Sequence, residues 1–300
     1  STGYKFMLPF REKTSLWKAE FRDADGREHR VDNRVKCRCQ YKIEERLQDT
    51  LNLCFEWKDI DLGEEKNVVD IQVNLRLRMN SSLSFWRINV RNRSKKSCLW
   101  QVIFPLIENI GTTTSDPSED YLLVPDGWGR IYRDPRSMSP YVATYPGGWN
   151  MAMQFLSFGH INNGLYLAAH DPEAYHKRFI FNPDTYTRTR VDHPPKSSFK
   201  LINYPENMGV LQQEYEMPYD AVIGVYVGDW YDASQIYRDW VLENAVWCKK
   251  GALDEKADEA DWFRRIVFWR IPVISIEDGV PFIVEDDIEA TVSRTIHFAR

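Results

Sequence analysis

The run Val69-Asp70-Ile71-Gln72-Val73-Asn74-Leu75-Arg76-Leu77-Arg78-Met79 decides the fold class. Its apolar residues occupy every second position. An extended chain therefore sends Val69, Ile71, Val73, Leu75, Leu77 and Met79 to one face and the polar set to the other. Upstream, Leu51, Leu53, Phe55 and Trp57 repeat the alternation, and residues 85–90 continue it downstream. Residues 98–106 form a more continuous apolar run. The polar clusters 63–67, 80–82 and 92–96 have the composition of turns. Strand patterns resume at 151–158, 164–169, 178–181, 198–203 and 221–227. Many strands at short spacing, with no helical pattern between them, predict an antiparallel sandwich rather than a βαβ fold.

Between Gly111 and Trp149 the alternation breaks at a series of prolines and glycines. Six aromatic residues (Tyr121, Trp128, Tyr132, Tyr141, Tyr145 and Trp149) are too many for a disordered segment. A long irregular functional loop is expected there. A helix is predicted from Asp232, with Gln235 at capping-box spacing, to about Trp247. Residues 249–259 are charged and read as a linker. Residues 266–269 read as a buried strand and 288–300 as a helix, the opening unit of an α/β domain. The chain stops inside that unit, so the sequence is expected to be a piece of something longer. The expected divisions are a sandwich over 1–228, a connecting helix and linker over 229–260, and the new domain over 261–300.

Thirty-nine basic and 44 acidic side chains leave a net charge of −5, which argues against a general nucleic-acid binder. The basic residues of 87–96 read as the solvated face and end of a strand. The five cysteines show neither a zinc pattern nor a disulfide framework and read as buried free thiols. No run approaches the roughly 20 apolar residues that span a membrane, so no membrane partner is expected. The first residues are Ser1-Thr2-Gly3, with no secretion signal, and a cytoplasmic and an exported location both stay open. No Gly-rich phosphate loop, nucleophile elbow or zinc-protease helix occurs, and no cofactor or metal is expected.

Several segments together resemble a known family: Tyr145-Pro146, Met153-Gln154-Phe155, residues 164–171 ending in His170-Asp171, Gly228-Asp229-Trp230, and the helix carrying Ile236-Tyr237-Arg238-Asp239-Trp240. In order and spacing they are similar to the galactose-mutarotase-like N-terminal β-supersandwich of large bacterial glycoside hydrolases. The likeness is to the group related to endo-α-N-acetylgalactosaminidases and α-galactosidases. It implies a mainly β, antiparallel supersandwich followed by a linker helix and the first βα unit of a (β/α)8 barrel. It implies a carbohydrate partner, an intramolecular contact with that barrel, and catalytic carboxylates beyond Arg300. It also implies a front-domain loop reaching the sugar, for which residues 125–150 are the candidate.

Within that loop, Asp126 and Trp128 form a carboxylate–indole pair held by glycines, suited to hydroxyls and to a sugar's apolar face. The plain alternative is a Pro-Asp-Gly turn with a packed Trp. Tyr145, Trp149 and Asn150 flank Gly147-Gly148 and are further sugar-contact candidates, or simply a tight turn. His170 and Asp171, with Glu173 and His176, read either as an acid/base or metal site or as an ordinary turn. Glu277, Asp278 and residues 285–287 either line a cleft or answer a helix dipole. Two other functions stay open, a stand-alone carbohydrate-binding module and an aldose epimerase acting through His170.

Overall fold

The computed structural model describes residues 14–46, 49–113, 116–147, 151–183 and 197–251, and then 260, 262, 265, 275–277 and 280–282. The chain divides into two units, residues 1–249 and 250–300.

The first unit contains β1 (Lys18–Asp23), β2 (Glu28–Asp32), β3 (Arg38–Arg46), β4 (Thr50–Leu62), β5 (Glu65–Arg78), β6 (Leu83–Asn92) and β7 (Ser97–Ile110). There follow β8 (Tyr121–Val124), β9 (Arg130–Arg133), β10 (Tyr141–Tyr145), β11 (Phe155–His160) and β12 (Asn163–His170). The set closes with β13 (Lys177–Asn182), β14 (Ser197–Asn203), β15 (Glu214–Glu216), β16 (Asp220–Val227) and helix α1 (Trp230–Asn244). One sheet has the order β10-β13-β14-β7-β1-β2. The other runs β3-β4-β5-β6-β16-β12-β11-β8-β9, with β15 also paired to β6. Every pairing is antiparallel.

The alternation of β5 does what its spacing predicts. Val69, Ile71, Val73 and Leu75 are buried, with half-buried polar residues between them. Met79 departs from the pattern, because the strand ends at Arg78 and its side chain lies exposed. One apolar cluster draws on both sheets, for example Phe104, Phe179, Phe181 and Phe199 from the first and Ile71, Ile88, Leu156 and Leu167 from the second. Two sheets sharing one core make a sandwich.

β12 is buried at all eight positions. Leu165, Leu167 and Ala169 enter the inter-sheet core, while Tyr166 and Ala168 face α1 beside Ala233 and Tyr237. A strand covered on both faces reads as continuously apolar, and residues 164–169 do. Helix α1 is therefore a third layer on the larger sheet. Its N-cap is Asp229, three residues before the expected Asp232, which instead completes the capping box from N3. Gly228 makes this start possible. Its φ is +118°, and a Cβ there would lie 2.0 Å from the Asp232 carboxylate.

The stretch from Gly111 to Trp149 is more regular than its prolines imply. It holds the β8–β9 hairpin at one edge of the larger sheet and β10 at one edge of the smaller. β9, Arg-Ile-Tyr-Arg, escapes the pattern because an edge strand carries charge instead of a clean apolar face. In the second unit, β17 (Ser275–Glu277) and β18 (Val280–Phe282) pair antiparallel. The described residues of this unit form that hairpin and no barrel. It stands where a plain loop was expected, with Glu277 in its first strand. The expected strand 266–269 and helix 288–300, Asp278, and residues 285–287 lie outside the described residues.

Candidate functional site

The hairpin between β8 and β9 closes over residues 125–129. The Gly129 N–H donates to the Asp126 carbonyl at 2.9 Å, and Gly127 sits at φ +58°, so the turn needs its glycine. This tight turn leaves Trp128 no neighbour to pack on, and it is 97% exposed. The packed-Trp alternative is thereby excluded. An indole offers roughly 150–250 Å² of contact area, and here almost all of it faces solvent.

On either side of Trp128 in the chain stand members of a polar group. Arg130 Nη1 stands 3.6 Å from Asp126 Oδ2 and donates to the Tyr132 hydroxyl at 3.5 Å. Tyr141, from the other sheet, joins them, and burial pushes its phenol up, with the Asp126 charge adding to the effect. An exposed indole can stack on a sugar's C–H face, and the carboxylate and guanidinium on the same hairpin can exchange hydrogen bonds with hydroxyls, while Tyr141 is itself buried. Arg130 and Tyr132 were not among the expected site residues. Their i,i+2 spacing on a strand puts both on one face, a signal that was available. Tyr141 was not legible as a neighbour of Asp126, since the contact crosses between sheets.

Tyr145 does not join this surface. It is 8% exposed, in the core, with the Lys177 ammonium 5.0 Å from its ring centroid. Trp149 and Asn150 lie outside the described residues.

Tyr145 belongs instead to a buried polar knot. Lys177 Nζ donates to Asp171 Oδ2 at 2.5 Å, to Gln154 Oε1 at 2.8 Å and to the Tyr175 carbonyl at 2.6 Å. These use all the donors of an ammonium. Asp171 also accepts from the N–H groups of Glu173 and Tyr175, and Gln154 Nε2 donates to the Asp171 carbonyl. Lys177, Asp171 and Gln154 are fully buried. Burial pulls Lys177 down to about 8 in spite of Asp171. A buried pair with every group satisfied, and no room for a reactant, pins one turn to two strands. Three of the short motifs, those with Tyr145, Gln154 and Asp171, thus meet in one structural device.

His170 lies on the opposite side of its strand. It is 7% exposed, stacks on Trp240 of α1 at 4.6 Å, and its Nε2 is 3.1 Å from the Tyr166 hydroxyl. Burial lowers its pKa to about 3, so at neutral pH the ring is uncharged packing. His176, by contrast, is exposed and contacts Tyr204. The two histidines do not combine. No group of three or more His, Cys, Asp or Glu among the described residues is placed to hold a metal ion.

The basic run of 87–96 is largely neutralised in place. Arg87 pairs with Asp220, Arg91 with Glu214, Arg93 with Asp70, and Lys96 with Glu64. All five cysteines are free. The expectation that they are buried holds for Cys54 alone. Cys37, Cys98 and Cys248 are half-buried and Cys39 is exposed. Cys37 and Cys39 share a face, with Sγ atoms 3.4 Å apart. Among the described residues no helix is long and apolar enough to cross a membrane.

A family described as "Domain of unknown function (DUF6259)" matches the chain over residues 215–287. The chain is 28% identical over 229 residues to a Monosiga brevicollis protein described as "Putative glycoside hydrolase 22789". That match covers 73% of this chain and 18% of that protein's length. Similar solved structures include the α-galactosidase from Lactobacillus brevis (TM-score 0.48, 10% identity, 75% of this chain and 31% of that one). Another is the α-galactosidase AgaB from Geobacillus stearothermophilus (TM-score 0.45, 10% identity, 75% of this chain and 32% of that one). A third is an α-mannosidase from Enterococcus faecalis (TM-score 0.43, 11% identity, 76% of this chain and 28% of that one).

Proposed function

We propose that this chain is the sandwich region of a glycoside hydrolase acting on O-glycosidic bonds, and that the β8–β9 tip lends a contact to the sugar site. The relationship to the Monosiga brevicollis protein supports the hydrolase class. The observation that carries the sugar contact is Trp128, 97% exposed at a tight turn whose flanking Asp126 and Arg130 stand 3.6 Å apart. In this reading the sandwich buttresses a (β/α)8 barrel. The paired carboxylates that glycoside hydrolysis requires are supplied outside these 300 residues.

The test is an assay of aryl and natural O-glycosides on the protein from its natural source and on the 300-residue chain. Hydrolysis by a protein well above 35.4 kDa, and none by the chain alone, is the expected result. A natural protein of 35.4 kDa, or one inactive on every O-glycoside, overturns the proposal.

A carbohydrate-binding module is the second reading, favoured by the same exposed indole. It requires the isolated chain to bind sugar and to lose binding in Trp128→Ala. The epimerase reading has no support at His170, which is neutral, enclosed and stacked on a helix.

A further inference from the structure

We propose that Cys37 and Cys39 form a dithiol site that reacts with low-molecular-weight disulfides and closes to a Cys37–Cys39 disulfide. Cys37 lies where the chain bends into β3, and Cys39 is the second residue of that strand. Their sulfurs stand 3.4 Å apart. A covalent S–S bond is about 2.05 Å long, so the closing movement is short. β3 is an edge strand of the larger sheet. Tyr41 and Ile43, on the same face of it as Cys39, are exposed. The approach to Cys39 is therefore open.

The two thiols differ in a way that orders the reaction. Cys37 is half-buried and packed against the core, whereas Cys39 is exposed. Burial pushes the Cys37 thiol up to about 12, with Cys39 adding to the rise. Cys37 therefore holds its proton while Cys39, the accessible sulfur, meets the reagent. The Cys39 thiolate attacks one sulfur of the small disulfide, breaks its S–S bond and releases one thiolate. A mixed disulfide is left on Cys39. It carries no charge, so the part of the rise that Cys39 causes at Cys37 is removed. Cys37, already in contact, gives up its proton and attacks the Cys39 sulfur, and the second small thiol leaves. Two protein thiols are thus oxidised to one S–S bond, and the small disulfide is reduced to two thiols that carry off both protons. Residues two apart on an extended strand lie about 6.6 Å apart, near the upper limit of Cα spacing across a disulfide. The ring is tight, and strained, exposed disulfides are the readily reduced ones. Such a pair exchanges and is no permanent staple. Cys54 takes no part, since the register Lys42↔Cys54 sets it on the other face of the sheet, fully buried. None of this depends on the hydrolase reading.

Oxidised glutathione on the 300-residue chain tests this, followed by alkylation of the remaining thiols, trypsin and mass spectrometry. Trypsin cuts after Arg38, so the fragments carrying Cys37 and Cys39 stay together only through the new bond. They should be found joined, and dithiothreitol should separate them. Cys37→Ser should instead hold glutathione on Cys39, about tenfold more than the unaltered chain does. Phenylarsine oxide, which bridges two neighbouring thiols, gives a reading that needs no variant. It should bind Cys37 and Cys39 together and block the oxidation. Finding both thiols still alkylated after glutathione treatment overturns the proposal. So does a glutathione adduct that persists on Cys39 in the unaltered chain, or oxidation that phenylarsine oxide fails to block.

Discussion

Two carboxylate–cation pairs in this molecule use similar chemistry under opposite conditions. Asp171 and Lys177 stand 2.5 Å apart with both side chains fully buried. Asp126 and Arg130 stand 3.6 Å apart, 18% and 62% exposed, on the hairpin that carries the solvent-exposed Trp128. Both lie next to motifs that read as candidate sites. Burial separates them. The buried pair spends every donor on protein acceptors and has nothing left for a ligand. The surface pair is loosely held, so its groups remain free to exchange water for hydroxyls. The sandwich needs the first pair to hold its turn. The second adds little to the fold, since exposed ion pairs contribute on the order of 0–1 kcal/mol.

The sharpest way to break this contrast is at Lys177. Lys177→Met leaves the Asp171 carboxylate buried and unpaired, and should cost about 3–5 kcal/mol in urea unfolding. Adding Asp171→Leu should return part of that loss. If the double variant is no better than the single one, the pair is not coupled.

Next in size is a pH effect at His170. Its folded pKa, about 3, lies below the ordinary 6.5. Its contribution is therefore present above pH 6.5 and is lost as pH falls from 6.5 towards 3. Each pH unit in that window costs about 1.4 kcal/mol, so lowering the pH from 6.5 to 5 should cost about 2 kcal/mol. The added slope should vanish in His170→Phe. An unchanged slope would mean that His170 does not titrate between the two states.

Smaller again is the cap of α1. Asp229→Ala removes the acceptor for Tyr231 N–H and should cost about 1 kcal/mol. Asp232→Ala should cost a comparable amount only if the reciprocal half of the box matters. Smallest is Trp128→Ala, which should move stability by no more than about 0.5 kcal/mol. In the proposed function it abolishes the sugar contact of the hairpin tip. A large loss of stability there would show that the indole packs after all, and the comparison would collapse.

Much of the fold was legible because its cause is local. Val69, Ile71, Val73 and Leu75 face the core because successive residues of an extended chain point to opposite sides. The turns were legible from their polar composition, although they are tighter than expected: Glu65, Lys66 and Asn67 already belong to β5, and Asn92 still belongs to β6. The short strands β8, β9 and β10 were not: β9 and β10 are edge strands, β8 is buried at all four positions and shows no alternation, and prolines interrupt the stretch. The N-cap was misplaced by three residues because Asp229 and Asp232 are both good caps. The choice between them rests on Gly228, whose backbone only the folded chain reveals. At the candidate site, the Asp126–Trp128 pair was singled out from Pro-Asp-Gly-Trp-Gly and its sugar contact stands as a proposal, whereas Tyr145, chosen for its place beside Gly147-Gly148, turns into the core.

From the sequence by itself came the mainly β class, the antiparallel pairing, the late helix and the Pro-Asp-Gly turn beside Trp128. Each depends on residues within a few positions of one another. The tertiary structure alone decided which polar residues are buried, and with that the meaning of the motifs. His170 is silenced by Trp240, 70 positions away in the chain. The Lys177 ammonium lies over the rings of both Tyr145 and Tyr219, from different strands and loops. Charge state and accessibility are set by whatever packs against a group, and sheet pairing brings those neighbours from distant parts of the chain.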